Sequence, residues 1–210
     1  MQLVSSLEQL RQQVKQWRQH GLMIGFVPTM GNLHAGHLSL VEKAKQHADK
    51  VIVSIFVNPL QFNEQSDLDA YPRTQEKDAA QLVETACDIV FMPDAKTVYP
   101  EGMAKQSKII VSEIGDRLCG AHRPGHFDGV ATVVTKLFNM VMPDIAVFGE
   151  KDYQQLLLIK KLVDDLNMPI KIIGSQTHRE QNGLAMSSRN QYLSEAEKTT
   201  AGEIYHTLVD

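Results

Sequence analysis

The chain has 210 residues, 43% hydrophobic and 22% charged, an ordinary globular balance that excludes a disordered chain. Its 21 basic and 25 acidic side chains leave a net charge of −4, which disfavours a general nucleic-acid binder but leaves room for a local cluster that holds a small anion. The strongest apolar run, VIVSIFV at 51–57, is strand-sized and far short of the roughly 18 residues of a membrane span. The opening residues lack the charged and apolar regions of a secretory signal. Cys87 and Cys119 form no CxxC pair and read as free thiols of a reducing cytoplasm.

In chain order, Leu7, Leu10, Val14 and Trp17 fall on one face of a helix that Ser5 or Ser6 can cap and His20-Gly21 can end. LMIGFV (22–27) reads as a buried strand, 37–48 as a helix, and VIVSIFV as a second buried strand. A helix at 74–86, a strand at 88–92 and a short strand at 108–111 (KIIV) follow. Then come a helix at 129–141, a strand at 144–148, an amphipathic helix at 152–166 and a strand at 170–174. Strands rich in β-branched residues, without polar alternation and separated by helices, predict a doubly wound α/β fold over residues 1–176. In such sheets ligands sit beyond the carboxyl ends of the strands, which singles out the loops at 28–37, 58–73, 149–152 and 177–191. Ser194 and Glu197 form a capping-box pattern that opens a last helix through Thr199–Leu208.

Chemistry-bearing residues fall in those loops. In Pro28-Thr29-Met30-Gly31-Asn32-Leu33-His34-Ala35-Gly36-His37 a glycine loop runs from a strand into a helix, where backbone N–H groups and the helix dipole attract phosphate. The loop is neither a Walker motif, since Gly36 is followed by His37 and not Lys, nor a G-x-G-x-x-G fingerprint. Asn58 and Gln61 offer neutral donors and acceptors to a polar small molecule. Gly149-Glu150-Lys151-Asp152 places a mobile cation between strand and helix, with Gln155 one turn on. Met186-Ser187-Ser188-Arg189 sets two hydroxyls beside a guanidinium, a compact phosphate clamp. Each admits an ordinary alternative when read alone: a glycine turn with surface histidines, an Asn-Pro turn, a well-capped helix start, a polar loop. His34 and His37 with His122 and His126 admit zinc as a competing ligand, though no HExxH occurs and the cysteines are not grouped with them.

Taken together, VPTMGNLHAGH (27–37), VSIFVNPLQF (53–62), YPRT (71–74), RPGHFDGV (123–130), FGEKDYQQL (148–156) and LAMSSRNQYL (184–193) closely resemble the pantoate–β-alanine ligases. That family lies within the nucleotidyltransferases with H-x-G-H and K-M-S-K-S-like loops, and the segments occur in family order along nearly the whole chain. The resemblance implies a Rossmann-like nucleotide- and pantoate-binding domain at 1–176. It also implies that 177–210 is the beginning of a smaller C-terminal lid domain, most of which is missing from this length. It implies an ATP-dependent condensation of pantoate with β-alanine through pantoyl adenylate, releasing pyrophosphate and AMP. Pro28 to His37, Gly149 to Asp152, His178 and Met186 to Arg189 would hold ATP. His34, His37 and Lys151 would be catalytic, with His37 matching the residue usually assigned as proton donor. Gln61, Gln155 and Asn58 would hold pantoate and β-alanine. Magnesium would ride on the polyphosphate near Asp78 and Gln81. A cytoplasmic homodimer, with no nucleic-acid or membrane partner, is the expected setting.

Overall fold

The computed structural model describes residues 1–85 and 87–209. The chain forms strand β1 (Gln2–Val4), helix α1 (Leu7–Gln19), β2 (Ile24–Thr29), α2 (Ala35–Lys45) and β3 (Lys50–Ile55). The short helix α3 (Gln65–Ala70), α4 (Gln75–Val83), β4 (Ile89–Phe91), α5 (Ala95–Val98) and α6 (Cys119–His122) follow. The remainder is α7 (His126–Val141), β5 (Ile145–Gly149), α8 (Tyr153–Asp165), β6 (Lys171–Ser175) and α9 (Glu195–Val209). The six strands make one all-parallel sheet in the order β1-β4-β3-β2-β5-β6. From β2 the chain winds outward through β3 and β4, then returns to the other side of β2 for β5 and β6, so the topological switch point lies between β2 and β5.

Side chains that alternate along the strands feed two cores. Ile24, Phe26, Ile52, Ile89, Phe91, Ala146 and Phe148 pack beneath α1, α7 and α8. Val27, Val51, Val53, Val90, Ile145 and Val147 pack beneath α2 and α4. Phe26 is fully buried, and truncation of such a ring typically costs about 3–5 kcal/mol. At the amino ends of the strands, three aspartates staple neighbours together. Asp49 accepts from Met23 N (2.8 Å), Asp88 from Val51 N (2.9 Å) and Asp144 from Ile24 N (2.7 Å). The carboxyl ends are different. The β2–β5 ladder pairs only Gly25 with Ile145 and Phe26 with Ala146, whereas β2 and β3 stay in register through Thr29 and Ile55. Beyond Phe26 the two strands on either side of the switch point part, and a crevice opens between them.

Most expected elements form with shifted ends: 22–27 becomes 24–29, 37–48 becomes 35–45, 129–141 becomes 126–141, and the last helix starts at Glu195. Ser6 is the cap of α1, accepting from Gln9 N (3.2 Å). The Ser194–Glu197 box closes in both directions, with Ser194 N donating to Glu197 Oε2 (2.8 Å) and Glu197 N to Ser194 Oγ (3.4 Å). Helix α4 ends at Val83, short of the expected Ala86, which lies outside the described residues. The expected strand at 108–111 is not a strand. Its residues alternate as a strand's do, with Val111 buried and Ile110 65% exposed. However, Ile109 N donates to the side chain of Thr132 on α7 (3.0 Å) and the segment joins no ladder. The edge beyond β4 is instead taken by β1, which pairs Gln2 with Ile89 and Val4 with Phe91.

Candidate active site

The loop from β2 into α2 turns sharply, with Gly31 at φ +85° and Asn32 at φ +50°. Left-handed backbone is costless for glycine and tolerable for asparagine. What holds the turn is a buried carboxylate. Asp78, 1% exposed on the first turn of α4, accepts Asn32 N at 2.9 Å and Leu33 N at 2.8 Å, and Thr74 Oγ1 donates to it at 3.1 Å. Thr29 Oγ1 donates to the Ser54 carbonyl (2.8 Å) and accepts from Gly31 N (3.2 Å), which ties the loop to β3.

The two histidines sit at the start of α2 with ring centroids 4.1 Å apart. The His34 N–H points at His37 Nδ1 (3.4 Å). A ring nitrogen that accepts carries no proton, so the His37 proton resides on Nε2. Burial, then the neighbouring His34 and Lys151, push the His37 pKa down to about 3, and burial followed by Lys151 lowers that of His34. Both imidazoles are therefore neutral at pH 7, and His34 Nδ1 is buried without a partner. Lys151, just after β5, is a third of the way exposed and rests on the adjacent Asp152 at 3.1 Å. Among the described residues no buried carboxylate claims it, and its charge reaches both histidines.

Across the crevice, Asn58 is fully buried and Gln61 half-buried in the turn after β3, while Gln155 comes from the first turn of α8. The neighbouring Gln154 faces away and bonds Ile114 O (2.8 Å) and Cys119 N (3.1 Å), so only the second glutamine of the pair serves the cavity. Val130, Val133, Val134 and Leu137 of α7 line its apolar side. The segment 186–192 crosses the mouth. Ser188 Oγ donates to Asn32 O (3.0 Å), Arg189 to Asp67 (3.1 Å) and Tyr192 Oη to Ala70 O (3.2 Å). One cavity of about 220 Å³ thus joins all four loops singled out in the sequence.

The family model for pantoate–β-alanine ligase matches residues 2–210. The chain belongs to the pantoate–β-alanine ligase family. It is 59% identical over 208 residues to the pantothenate synthetase of Ectopseudomonas mendocina, covering 99% of this chain and 73% of that one. The solved pantothenate synthetase of Thermus thermophilus superposes with a TM-score of 0.90 at 46% identity, over 100% of this chain and 74% of that one. The Francisella tularensis pantoate–β-alanine ligase, complexed with beta-gamma ATP and beta-alanine, superposes with a TM-score of 0.93 at 43% identity, over 100% and 80%. The chain spans about three quarters of the length of these relatives. Like them it is a ligase that forms a C–N bond.

Within this ligase the cavity is lined by Pro28, Thr29, Met30, His34, Gly36 and His37 from the first loop, and by Gly149, Lys151 and Asp152 from the third. Met186 to Arg189, His178, Asn58, Gln61 and Gln155 complete it. The remaining expected residues stand behind the wall. Leu33 is 4% exposed in the second core, Gly31 and Asn32 form the turn, and Ala35 opens α2 facing solvent. The Glu150 side chain lies against Gly174 of β6, and the His178 carbonyl is taken by Met186 N (2.9 Å). Tyr71, Phe56 and the apolar face of α7 also line the cavity, and no role was expected of any of them from the sequence. The three-and-four spacing of Val130, Val133, Val134 and Leu137 signals a buried face but not which cavity it borders.

Asp78 and Gln81, the residues expected near magnesium, differ in how far they are already engaged. Both Asp78 oxygens already accept backbone N–H groups, and Gln81 Oε1 is buried without a partner. Among the described residues no group of three His, Cys, Asp or Glu side chains gathers. His126 is engaged elsewhere, with its Nδ1 2.7 Å from the Gln61 carbonyl.

Proposed function

We propose that this ligase works in two steps within the one crevice. A pantoate carboxylate oxygen attacks the α-phosphorus of ATP and pyrophosphate leaves. The amine of β-alanine then attacks the acyl carbon of the mixed anhydride, AMP leaves with the C–O bond electrons, and the amine gives up a proton as pantothenate forms. A free carboxylate resists amine attack because its leaving group would be an oxide, and adenylation replaces that group with AMP. The observation that carries this reading is the convergence of a helix amino terminus, Lys151, the Ser188–Arg189 strap and two glutamines on one cavity with an apolar side.

In this assignment Pro28 to His37, Gly149 to Asp152, His178 and Met186 to Arg189 hold ATP. The amide end of α2 and Lys151 meet the negative charge that grows around the α-phosphate. His37, neutral and protonated on Nε2, acts as a hydrogen-bond donor to a phosphate oxygen, and His34 acts beside it. Arrival of the polyanion opposes the Lys151 field and raises both pKa values. Gln61 and Gln155 hold pantoate against α7, with Asn58 behind Gln61. Magnesium travels with the polyphosphate on phosphate and water oxygens. Residues 1–176 form the nucleotide and pantoate domain and 177–210 the opening of a lid, whose Ser188 and Arg189 already reach across the cleft. The setting on this reading is a cytoplasmic homodimer with small-molecule partners only.

The test is pantoate-dependent exchange of pyrophosphate into ATP, with magnesium and without β-alanine. Exchange is expected. Its absence from a chain that still binds ATP would reduce the molecule to a nucleotide-binding domain and overturn the reading for this length.

A further inference from the structure

The cavity wall contains an amide chain whose outermost member lies outside every loop considered so far. Tyr99 follows the one-turn helix α5 and is 3% exposed. Its ring packs 6.2 Å from that of Phe56, with Lys136 Nζ 5.4 Å from its centre. Its hydroxyl donates to Asn58 Oδ1 at 2.7 Å. Asn58 also accepts from Leu60 N (3.3 Å) and donates through Nδ2 to Gly129 O (3.1 Å) and Gln61 Oε1 (3.3 Å). A backbone N–H can only donate and a carbonyl can only accept, so these partners leave the Asn58 amide one orientation. Its second N–H then faces Gln61 and compels the Gln61 oxygen to turn inward. The Gln61 nitrogen is left toward Met30, a residue that lines the cavity, and donates one N–H to Met30 Sδ (2.7 Å), which keeps its second N–H for substrate.

We propose that Tyr99 is a positioning residue that, through Asn58, fixes the polarity of Gln61 so that the ligase presents an N–H donor, not an acceptor, to the carboxylate and hydroxyl oxygens of pantoate. The inference rests on the reading that Gln61 faces pantoate. Burial raises the phenol's pKa, so the hydroxyl keeps its proton and stays a donor. Without it, the fully buried Asn58 Oδ1 keeps only the longer bond from Leu60, and the amide pair loses its single arrangement.

The experiment is Tyr99→Phe, which keeps the ring and its contacts, in the parent and in a Gln61→Ala background. KM for pantoate and for ATP are measured for all four proteins, with thermal melting as a control. In the parent background the pantoate KM should rise about tenfold while the ATP KM stays within about twofold. In the Gln61→Ala background the same substitution should change the pantoate KM by less than about twofold, because its route to the substrate has been removed. An unchanged pantoate KM in the parent, equal changes in both backgrounds, or a parallel rise in the ATP KM would overturn the proposal while leaving Gln61 at the pantoate site. If Gln61→Ala itself leaves the pantoate KM unchanged, the placement of Gln61 is wrong and the Tyr99 proposal falls with it.

Discussion

Gly129 sits in the first turns of α7, where helix propensity alone favours alanine by about 1 kcal/mol. The structure reverses that sign. A Cβ at 129 would lie 2.6 Å from Leu60 C and 2.9 Å from Gln61 N, and closer still to Leu60 O. All three are backbone atoms, so no side chain can rotate away. The turn at 59–61 must shift by about 1 Å, against the bonds from Asn58 Nδ2 to Gly129 O (3.1 Å) and between His126 and Gln61 O (2.7 Å). Overpacking of this kind costs about 1–3 kcal/mol, and a weakened buried hydrogen bond about 1 more. After the helix gain is subtracted, Gly129→Ala should lose about 2 kcal/mol, or roughly 4–8 °C in Tm for a chain of this size. The same shift displaces Gln61, and a misplacement of about 1 Å can cost on the order of 10²-fold in rate. Urea unfolding and pantoate-dependent ATP–pyrophosphate exchange should therefore both fall, with ATP binding nearly unchanged. A variant as stable as the parent, or one that exchanges within a few-fold of it, would refute the claim that contact between α7 and the turn sets the pantoate side of the cavity.

Three further outcomes follow from the site. Lys151→Ala and His37→Ala should each lower exchange by about 10²-fold or more with little change in melting temperature, and a normal rate would remove that residue from the adenylation assignment. The His37 pKa is about 3 folded against 6.5 unfolded, so between those values the unfolded chain binds more protons and stability falls as pH is lowered, by up to about 1.4 kcal/mol per unit. Urea titrations at pH 7, 6 and 5 should show that slope in the parent and a shallower one in His37→Asn, and equal slopes would sink the assignment. Asp78→Asn replaces one of two accepting oxygens with a donor that faces a backbone N–H. It should cost about 2–3 kcal/mol and reduce exchange while leaving the magnesium concentration for half-activation unchanged. A shifted magnesium requirement would instead make Asp78 a ligand.

The sequence carried the sheet because its central strands are buried on both faces, and such strands announce themselves as unbroken apolar runs. VIVSIFV and DIAVF are the clearest. The loops beyond the strands were equally readable, since the rule that ligands bind past strand carboxyl ends needs only the strand positions and their parallel direction. β1 left no such trace: of its three residues only Val4 is buried, and Leu3 is 58% exposed. KIIV misled for the opposite reason, being strand-like in pattern but packed against a helix. Asp78 lies 45 and 46 positions from the amides it holds, and Tyr99 lies 41 from Asn58, distances that local spacing does not reach. The chemistry-bearing loops were visible one at a time. What joined them was tertiary, namely the parting of β2 and β5 and the apolar face of α7 beneath.

The order of strands also sets a timetable for a chain leaving the ribosome. β1 is made before β4, the strand it pairs with, so residues 2–4 wait for 89–91 to emerge, roughly ten seconds later at ordinary translation rates. α1 waits longer, because the helix it leans on, α7, begins only at residue 126. Residues 2–19 therefore wait as a tethered amphipathic segment, while β2, α2 and β3 can already close a parallel pair behind them.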